Sequence, residues 1–593
     1  MQPTEGQRPA VEAQEPAVLI TARPGRGKTT VALLFARRVL QRDQPDAIKP
    51  SQHVLFLTFS RNAVYQIEQT SGRVLDVESR ARIRISTYHS FMWWLIQAFG
   101  RYNGLPRRLG WMGATGERLC RRQAGGDQVG SYSLPEYAAS SRGAISYGMF
   151  APLALDLLRK STTLRGLLHG LYPVVVVDEF QDTSDEQWEF VKLVSDGARL
   201  VCLADPDQMI FRFSGASVER LNQFIREQGA KRYEFGECLR TDDHELLDFA
   251  ETILDNKPVA RDVAQRHARR FLRGYNFATA LGPWLKPIVT GFHSDYRKRR
   301  KGEGRPSIAL AAHSNNWARK LRAMLGRATP SAPQVYYCGL IESDADDVLE
   351  SLILNLMAWV ASAEAAYLAT ALQLTVCMLP EGAVARNASL RSLLDSSGTT
   401  SSRLALKGLA KHMADGFSSI GNTAKTTPED ALRRAVDALR SLMAKSKAYA
   451  ESVSDEAVEE CCALIHRLLT EAPPGGVGAT LEYLKNRLSS LRVRQCVLER
   501  VQPTRGLVSS TLHKLKGKEF DYVCIVTVAN DTLRSQGETE QDARHLLYVA
   551  LTRARYDARV LYSRNAPCSL LRPYLETVGQ GPQKRVESVT PET

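Results

Sequence analysis

Val18-Leu-Ile-Thr-Ala22-Arg-Pro-Gly-Arg-Gly-Lys-Thr29, running into Thr30-Val-Ala-Leu-Leu-Phe-Ala36, is the stretch on which the fold turns. A short apolar run leads into a glycine-rich turn, and helical spacing begins immediately after it. That order suits a P-loop, because backbone N–H groups and a helix N-terminus then converge on phosphates. Gly25 and Gly27 would form the backbone cradle, with Thr30 beside it. Lys28 would reach the β- and γ-phosphates of ATP, and the Thr29 hydroxyl would hold Mg²⁺. On this stretch alone, a glycine-rich turn with a chance Gly-Lys-Thr is the alternative.

A second segment narrows the choice. Val174-Val-Val-Val-Asp178-Glu179-Phe-Gln-Asp182 is an apolar strand that ends in paired carboxylates. NTP hydrolysis needs this arrangement: a metal-binding Asp178 at the strand's end and a Glu179 placed to polarise the attacking water. A solvated acidic turn is the alternative, and the buried-looking strand argues against it.

Outward from these two sites, short apolar runs alternate with longer helical patterns. Val54 to Thr58, Leu200 to Leu203 and Tyr522 to Val528 are further strands, so the expected class is α/β with parallel sheets. Strands cluster near 18–203 and 508–562, and a helical segment of different texture separates them. Within that segment, Thr427-Pro428-Glu429-Asp430 starts a helix carrying Leu432, Val436, Leu439 and Met443. Residues 381–426 and Ala472-Pro-Pro-Gly-Gly476 read as loops or joints, and the chain after about Arg572 shows no clear period. Leu352 to Leu379 is interrupted by Asn355, Glu364 and Gln373, so it reads as buried helix and not as a membrane span.

Composition bounds the partners. At 593 residues, two to four packed units are expected. Lys plus Arg number 78 against 64 Asp plus Glu, a formal charge of +14, which favours a polyanion such as nucleic acid. The ten cysteines form no CxxC pair and the N-terminal residues hold no secretory pattern, so a reduced, cytoplasmic setting is expected.

Further segments fall in one order along the chain, and together they resemble the UvrD, Rep and PcrA branch of the superfamily 1 DNA helicases. Gln7-Arg-Pro-Ala-Val11 is similar to the adenine-reading glutamine motif. Leu57-Thr-Phe59-Ser-Arg-Asn62-Ala63 and Thr87-Tyr-His89-Ser-Phe91 resemble two motifs that touch single-stranded DNA. Ala204-Asp-Pro-Asp-Gln208-Met-Ile-Phe211-Arg-Phe213-Ser-Gly-Ala216 resembles the motif joining phosphate sensing to base stacking. Cys238-Leu239-Arg240-Thr241, Ser510-Thr511-Leu-His513-Lys-Leu-Lys516-Gly517-Lys-Glu519-Phe520-Asp521 and Asp542 to Ala554 resemble the fourth, fifth and sixth motifs.

The resemblance implies two RecA-like P-loop NTPase domains with helical accessory insertions: a first motor domain at 1–91 and 167–230 with a small insertion at 92–166. The second motor domain would span 231–342 and 500–570, with a helical insertion at 343–499 and a tail at 571–593. It implies that Gln7 and Glu519 contact the nucleotide, that Gln208 senses the γ-phosphate, and that Arg240 and Arg553 act as arginine fingers. Phe59, Asn62, His89, Thr511 and His513 would contact DNA. Phe211 and Phe213 would stack on bases, although alternate aromatics also suit a buried strand edge.

The expected activity is that of a helicase or translocase: ATP hydrolysis coupled to 3′ to 5′ movement on single-stranded or tailed duplex DNA and to duplex unwinding. The alternative is an ATP-gated subunit of a nuclease, repair or anti-phage (Gabija-like) complex, with no membrane partner in either case. Three departures matter. Arg23 and Arg26 replace small P-loop residues, Leu239 stands where a tyrosine would stack on adenine, and the first insertion is short. Arg297-Lys-Arg-Arg-Lys301 reads equally as a DNA-backbone contact or a solvated loop.

Overall fold

Val174–Val177 shows how this sequence makes a sheet. Four β-branched residues in a row suit the pleated backbone, and all four are buried, as a strand covered on both faces requires. In the computed structural model the strands are, in chain order, β1 (Ala17–Ala22), β2 (Val54–Thr58), β3 (Ile83–Thr87), β4 (Gly110–Trp111), β5 (Gln128–Val129), β6 (Tyr132–Ser133), β7 (Ala144–Ile145) and β8 (Val174–Val177). They continue with β9 (Arg199–Ala204), β10 (Lys231–Phe235), β11 (Leu272–Tyr275), β12 (Ile308–Ala312), β13 (Val335–Tyr337), β14 (Leu507–Thr511), β15 (Phe520–Val526) and β16 (Ala554–Ser563). The structure describes residues 2–41, 43–107, 109–113, 116–117, 120–121, 128–129, 132–210, 219–235, 244–256, 259–276, 281–300, 304–328, 335–337, 344–379, 389, 409–420, 426–445, 453, 455–493, 506–528, 533–534 and 538–578.

Two six-stranded sheets result, ordered β10-β1-β9-β8-β2-β3 and β11-β16-β15-β12-β14-β13. Every pairing within them is parallel. The α/β class with parallel sheets is therefore correct. In the first sheet β1, β9 and β8 are neighbours, and β1 leads on through its helix to β2 on the far side of them. The carboxyl ends of adjacent strands around such a change of direction are where α/β sheets bind ligands.

The chain divides into two compact units. One comprises residues 1–88, 158–338 and 500–593 and holds both large sheets. Its first core packs helix Lys28–Leu40 on the first sheet through Val31, Leu34 and Phe35. The second sheet is covered on both faces: helices His244–Asp255, Arg261–Phe271 and Glu540–Leu551 contribute to one core, and helix Gly282–Arg299 to the other.

The second unit comprises residues 89–157 and 339–499, so both inserted segments contribute to it. Its core gathers Leu352, Leu356, Leu439, Ile465 and Leu484, each fully buried. Leu352 to Leu379 runs through two helices, Asp344–Ser362 and Ala365–Cys377, with a break at Ala363 and Glu364. No helix among the described residues is long and apolar enough to cross a membrane.

Several boundaries differ from expectation. Lys231–Phe235 pairs with β1, so the first sheet runs to Phe235 and a division at 230/231 would remove its edge strand. Leu409–Ser418 is helical within the stretch expected as loop, because Met413, Ala414 and Phe417 bury one face. Arg572–Thr577 is a helix whose Tyr574 and Leu575 enter the second sheet's core, so the tail begins later than expected. Arg297, Lys298 and Arg299 close helix Gly282–Arg299 and do not form a loop, a placement that suits the negative end of a helix dipole.

Candidate nucleotide and nucleic-acid site

The carboxyl ends of β1, β9 and β8 deliver the P-loop, Asp205 to Gln208, and Asp178 to Asp182 to one place. Gly25 and Gly27 have φ of 75° and 83°, a region that side chains disfavour, so glycine at both positions lets the turn curl around a ligand. Gly27 caps helix Lys28–Leu40, whose first N–H groups open into the turn. The Lys28 ammonium donates to the carbonyls of Ala22 and Arg23 and lies 3.3 Å from Asp205 Oδ2. The Thr29 hydroxyl donates to Asp178 Oδ2 at 3.4 Å, and Thr30 follows in the first helical turn. A hydroxyl and a carboxylate so placed beside a glycine cradle form a donor set that fits a magnesium nucleotide.

Glu179 is a non-glycine residue in the left-handed region, with φ of 54°. Gln181 Nε2 donates to its Oε2, while Gln181 Oε1 accepts the Asp205 N–H at 2.9 Å, so one buried amide links two strand ends. Gln208 Nε2 donates to Asp205 Oδ2 at 2.6 Å, and Arg553 Nη2 donates to Gln208 Oε1 at 2.7 Å. The structure thus brings the expected sensor Gln208 and the expected finger Arg553 together, with Arg553 only 4% exposed.

Lys516 lies in the segment that resembles the fifth motif, where no role was expected of it. It is buried, pairs with Asp182, donates to the Gln208 carbonyl and lies 3.7 Å from Glu179 Oε2. Burial raises the Glu179 carboxyl, but the Lys516 and Lys28 charges outweigh it and hold Glu179 below its usual range. Burial, reinforced by the Glu179 charge, pushes Asp178 up. Burial also raises Asp182, to about 7, despite Lys516. One carboxylate thereby stays ionised beside two that resist ionisation, so Glu179 is in the form that accepts a hydrogen bond from a water.

Other contacts enclose the site. Gln7 Nε2 donates to the Arg26 carbonyl at 3.1 Å, which holds the glutamine segment against the P-loop. Arg23 Nε donates to Asp207 Oδ2 at 2.9 Å, and Arg23 Nη1 lies 2.7 Å from Glu251 on the helix His244–Asp255. His545 Nδ1 is 2.7 Å from the Asp207 carbonyl. Glu519 lies 3.9 Å from Arg555.

The residues expected to contact DNA are only partly gathered. Phe59 follows β2 and Asn62 lies at the start of helix Arg61–Val74, while Thr511 ends β14 and His513 opens the short turn of helix after it. These two segments meet at Gly517, where a Cβ would stand 3.2 Å from Ser60 Oγ and 3.8 Å from Asn62 Cβ. Burial lowers the His513 pKa, so its imidazole is neutral near pH 7. His89 belongs to the second compact unit, edge-on to Tyr147 at 5.2 Å, and burial pushes it down to about 4. Phe211, Phe213, Leu239 and Arg240 lie outside the described residues.

Comparison with known proteins follows the same geometry. The UvrD/REP helicase N-terminal domain matches residues 3–119 and 131–228, and the UvrD-like helicase C-terminal domain matches 506–561. Similar proteins include the ATP-dependent DNA helicase srs2 of Schizosaccharomyces pombe, 23% identical over 38% of this chain. DNA helicase II of Escherichia coli is 21% identical over 42%, and the Gabija protein GajB of Bacillus cereus is 26% identical over 35%. These matches span 31%, 40% and 40% of the three relatives. With an N-terminal and a C-terminal domain matched in order, and the matched segments carrying the P-loop, the carboxylate pair and Arg553, the chain belongs to the UvrD/Rep-like family of superfamily 1 helicases.

Proposed function

We propose that this protein hydrolyses ATP and uses the energy to move along single-stranded DNA in the 3′ to 5′ direction. The observation that carries the reading is the chain of contacts from Lys28 through Asp205 and Gln208 to Arg553, which joins the P-loop on one sheet to an arginine on the other. A change at the phosphates is thereby felt by both sheets.

Lys28 and Arg553 bind and neutralise the phosphates, and Thr29 and Asp178 are the residues that would hold Mg²⁺. Bound Mg²⁺ supplies charge neutralisation between the phosphates. Glu179 orients the attacking water and takes its proton. Gln208, seated between Asp205 and Arg553, reports the terminal phosphate. The meeting of the Phe59–Asn62 and Thr511–His513 segments at Gly517 would convert relative motion of the two sheets into a shift along the strand.

ATPase measurement with and without single-stranded DNA tests the reading. DNA-stimulated hydrolysis that disappears in Lys28→Ala is the expected result. Hydrolysis indifferent to DNA, or unchanged in Lys28→Ala, would sink it.

The similarity to the Gabija protein GajB favours a second reading, in which ATP occupancy gates a nuclease or defence partner. Strand separation of a tailed duplex by the purified chain supports the autonomous motor. Separation or cleavage that appears only when a partner protein is added supports the gated subunit.

A further inference from the structure

A cavity of about 870 Å³ lies around β11, the outer strand of the second sheet. It shares no residue with the Lys28–Gln208–Arg553 site. Six arginines reach it: Arg269, Arg270, Arg273, Arg299, Arg559 and Arg564. Only two carboxylates line it, Asp295 and Asp557, and each is already paired, with Arg299 and Arg559. Arg270 pairs with Glu245. Among the described residues Arg269, Arg273 and Arg564 make no ion pair.

Arg273 is the centre of this imbalance. Its Nη1 donates only to the carbonyls of Arg269 and Leu272, and both its partial burial and the neighbouring Arg559 charge disfavour its cationic form. Cations gathered at half-buried positions are stabilised by a shared anion, and guanidinium forks match phosphate oxygens in geometry.

The space is also built in. Gly274 lets Arg564 lie across the strand, since a Cβ there would come within 2.8 Å of the Arg564 side chain. Gly291 interrupts the helix Gly282–Arg299 where alanine would be about 1 kcal/mol better, and a Cβ there would meet nothing within 4 Å. Trp284 stands at the rim, with the Arg564 guanidinium 5.9 Å from its ring centroid. It offers a π-face to a base.

We infer that this cavity is a second nucleotide-sized anion site, in which Arg273 and Arg559 take a phosphate group while Trp284 and Arg564 flank the attached nucleoside. Its volume is within the usual range for ligand pockets, roughly 300–1,000 Å³. The phosphate could belong to a free mononucleotide or to the phosphorylated end of a nucleic-acid strand.

Calorimetric titration of the full chain carrying Lys28→Ala with AMP, at low ionic strength, tests the assignment independently of ATP hydrolysis. Binding is expected, weakened at least tenfold by Gly291→Leu, which fills the cavity, and by Arg273→Gln, which removes its central charge. In the Lys28-intact chain, both substitutions should leave the basal ATPase rate unchanged. Absence of AMP binding, or binding that neither substitution alters, overturns the assignment. Equal affinity for inorganic phosphate and AMP overturns the nucleoside part. A 5′-phosphorylated dinucleotide that binds more tightly than both AMP and its 5′-hydroxyl counterpart identifies a strand end as the source, and the reverse order identifies the free nucleotide.

Discussion

Glu179 combines an unfavourable backbone with a favourable electrostatic position. A left-handed φ of 54° at a non-glycine residue costs about 1–3 kcal/mol, and it accompanies a carboxylate kept ionised by Lys516 and Lys28. Glu179→Gln keeps the shape and removes the proton acceptor, so kcat for ATP should fall by about 10²- to 10⁴-fold with nucleotide affinity nearly unchanged. Stopped rates together with equilibrium nucleotide binding check this, and equal losses in both would place Glu179 in binding instead.

Lys516 makes a separate prediction, because its pairing with Asp182 is buried on both sides. Lys516→Met should destabilise by about 1–3 kcal/mol, because Asp182, already raised to about 7 by burial, then takes up a proton and is left buried without its hydrogen-bond donor. The double variant with Asp182→Asn should recover most of that in thermal unfolding, and a double variant no more stable than the single would refute the pairing argument. Lys28 and Asp178 could be read from local motifs, since a strand, a glycine turn and a carboxylate are visible within a few residues. The partner of Lys516 is 334 residues away, and that of Arg553 is 345, so no local pattern announces either contact.

At the scale of elements, legibility followed burial. β1, β2 and β8 are buried along their whole length, and apolar runs mark them at nearly their observed limits. β10 has four of five residues at least partly exposed, because it lies at a sheet edge, and Lys-Arg-Tyr-Glu-Phe resembles a surface segment. The six-residue helix Arg572–Thr577 is too short to show a period, yet its Tyr574 closes a ring cluster with Phe249, Phe271 and His267.

His267 is 1% exposed in that cluster. Burial pushes its pKa below the ordinary value of about 6.5, against the opposing pull of Asp248. A histidine with a depressed folded pKa favours the fold while neutral. Its contribution is complete above the unfolded pKa and is lost as pH falls from about 6.5 toward the lower folded value. The melting temperature of the native chain should therefore drop between pH 7 and 5 more steeply than that of His267→Phe, whose ring does not titrate. Parallel curves for the two proteins would show that His267 is not the group responsible.

Across the whole molecule, the two large sheets are tied by polar contacts at the nucleotide site, and Arg23 makes the most exposed of them. Its guanidinium reaches Asp207 on the first sheet's side and Glu251 and Asp255 on a helix packed against the second sheet, at 2.9, 2.7 and 4.0 Å. At 31% side-chain exposure such pairs contribute up to about 1 kcal/mol, so Arg23→Gly should leave the melting temperature nearly unchanged. Its effect belongs to the ligand. Without Arg23, three carboxylates beside the P-loop lose their neutralising charge and repel a triphosphate, while Lys28, Glu179 and Arg553 remain in place to carry out hydrolysis. KM for ATP should rise roughly three- to tenfold with kcat little changed, equivalent to about 1 kcal/mol. Added salt should shrink the difference, because exposed charges are screened within about 10 Å at 0.1 M. Steady-state ATPase kinetics of Arg23→Gly at low and high salt decide the matter: a fall in kcat at constant KM would instead make Arg23 part of the coupling between the sheets, since the loss would then arise after the nucleotide has bound.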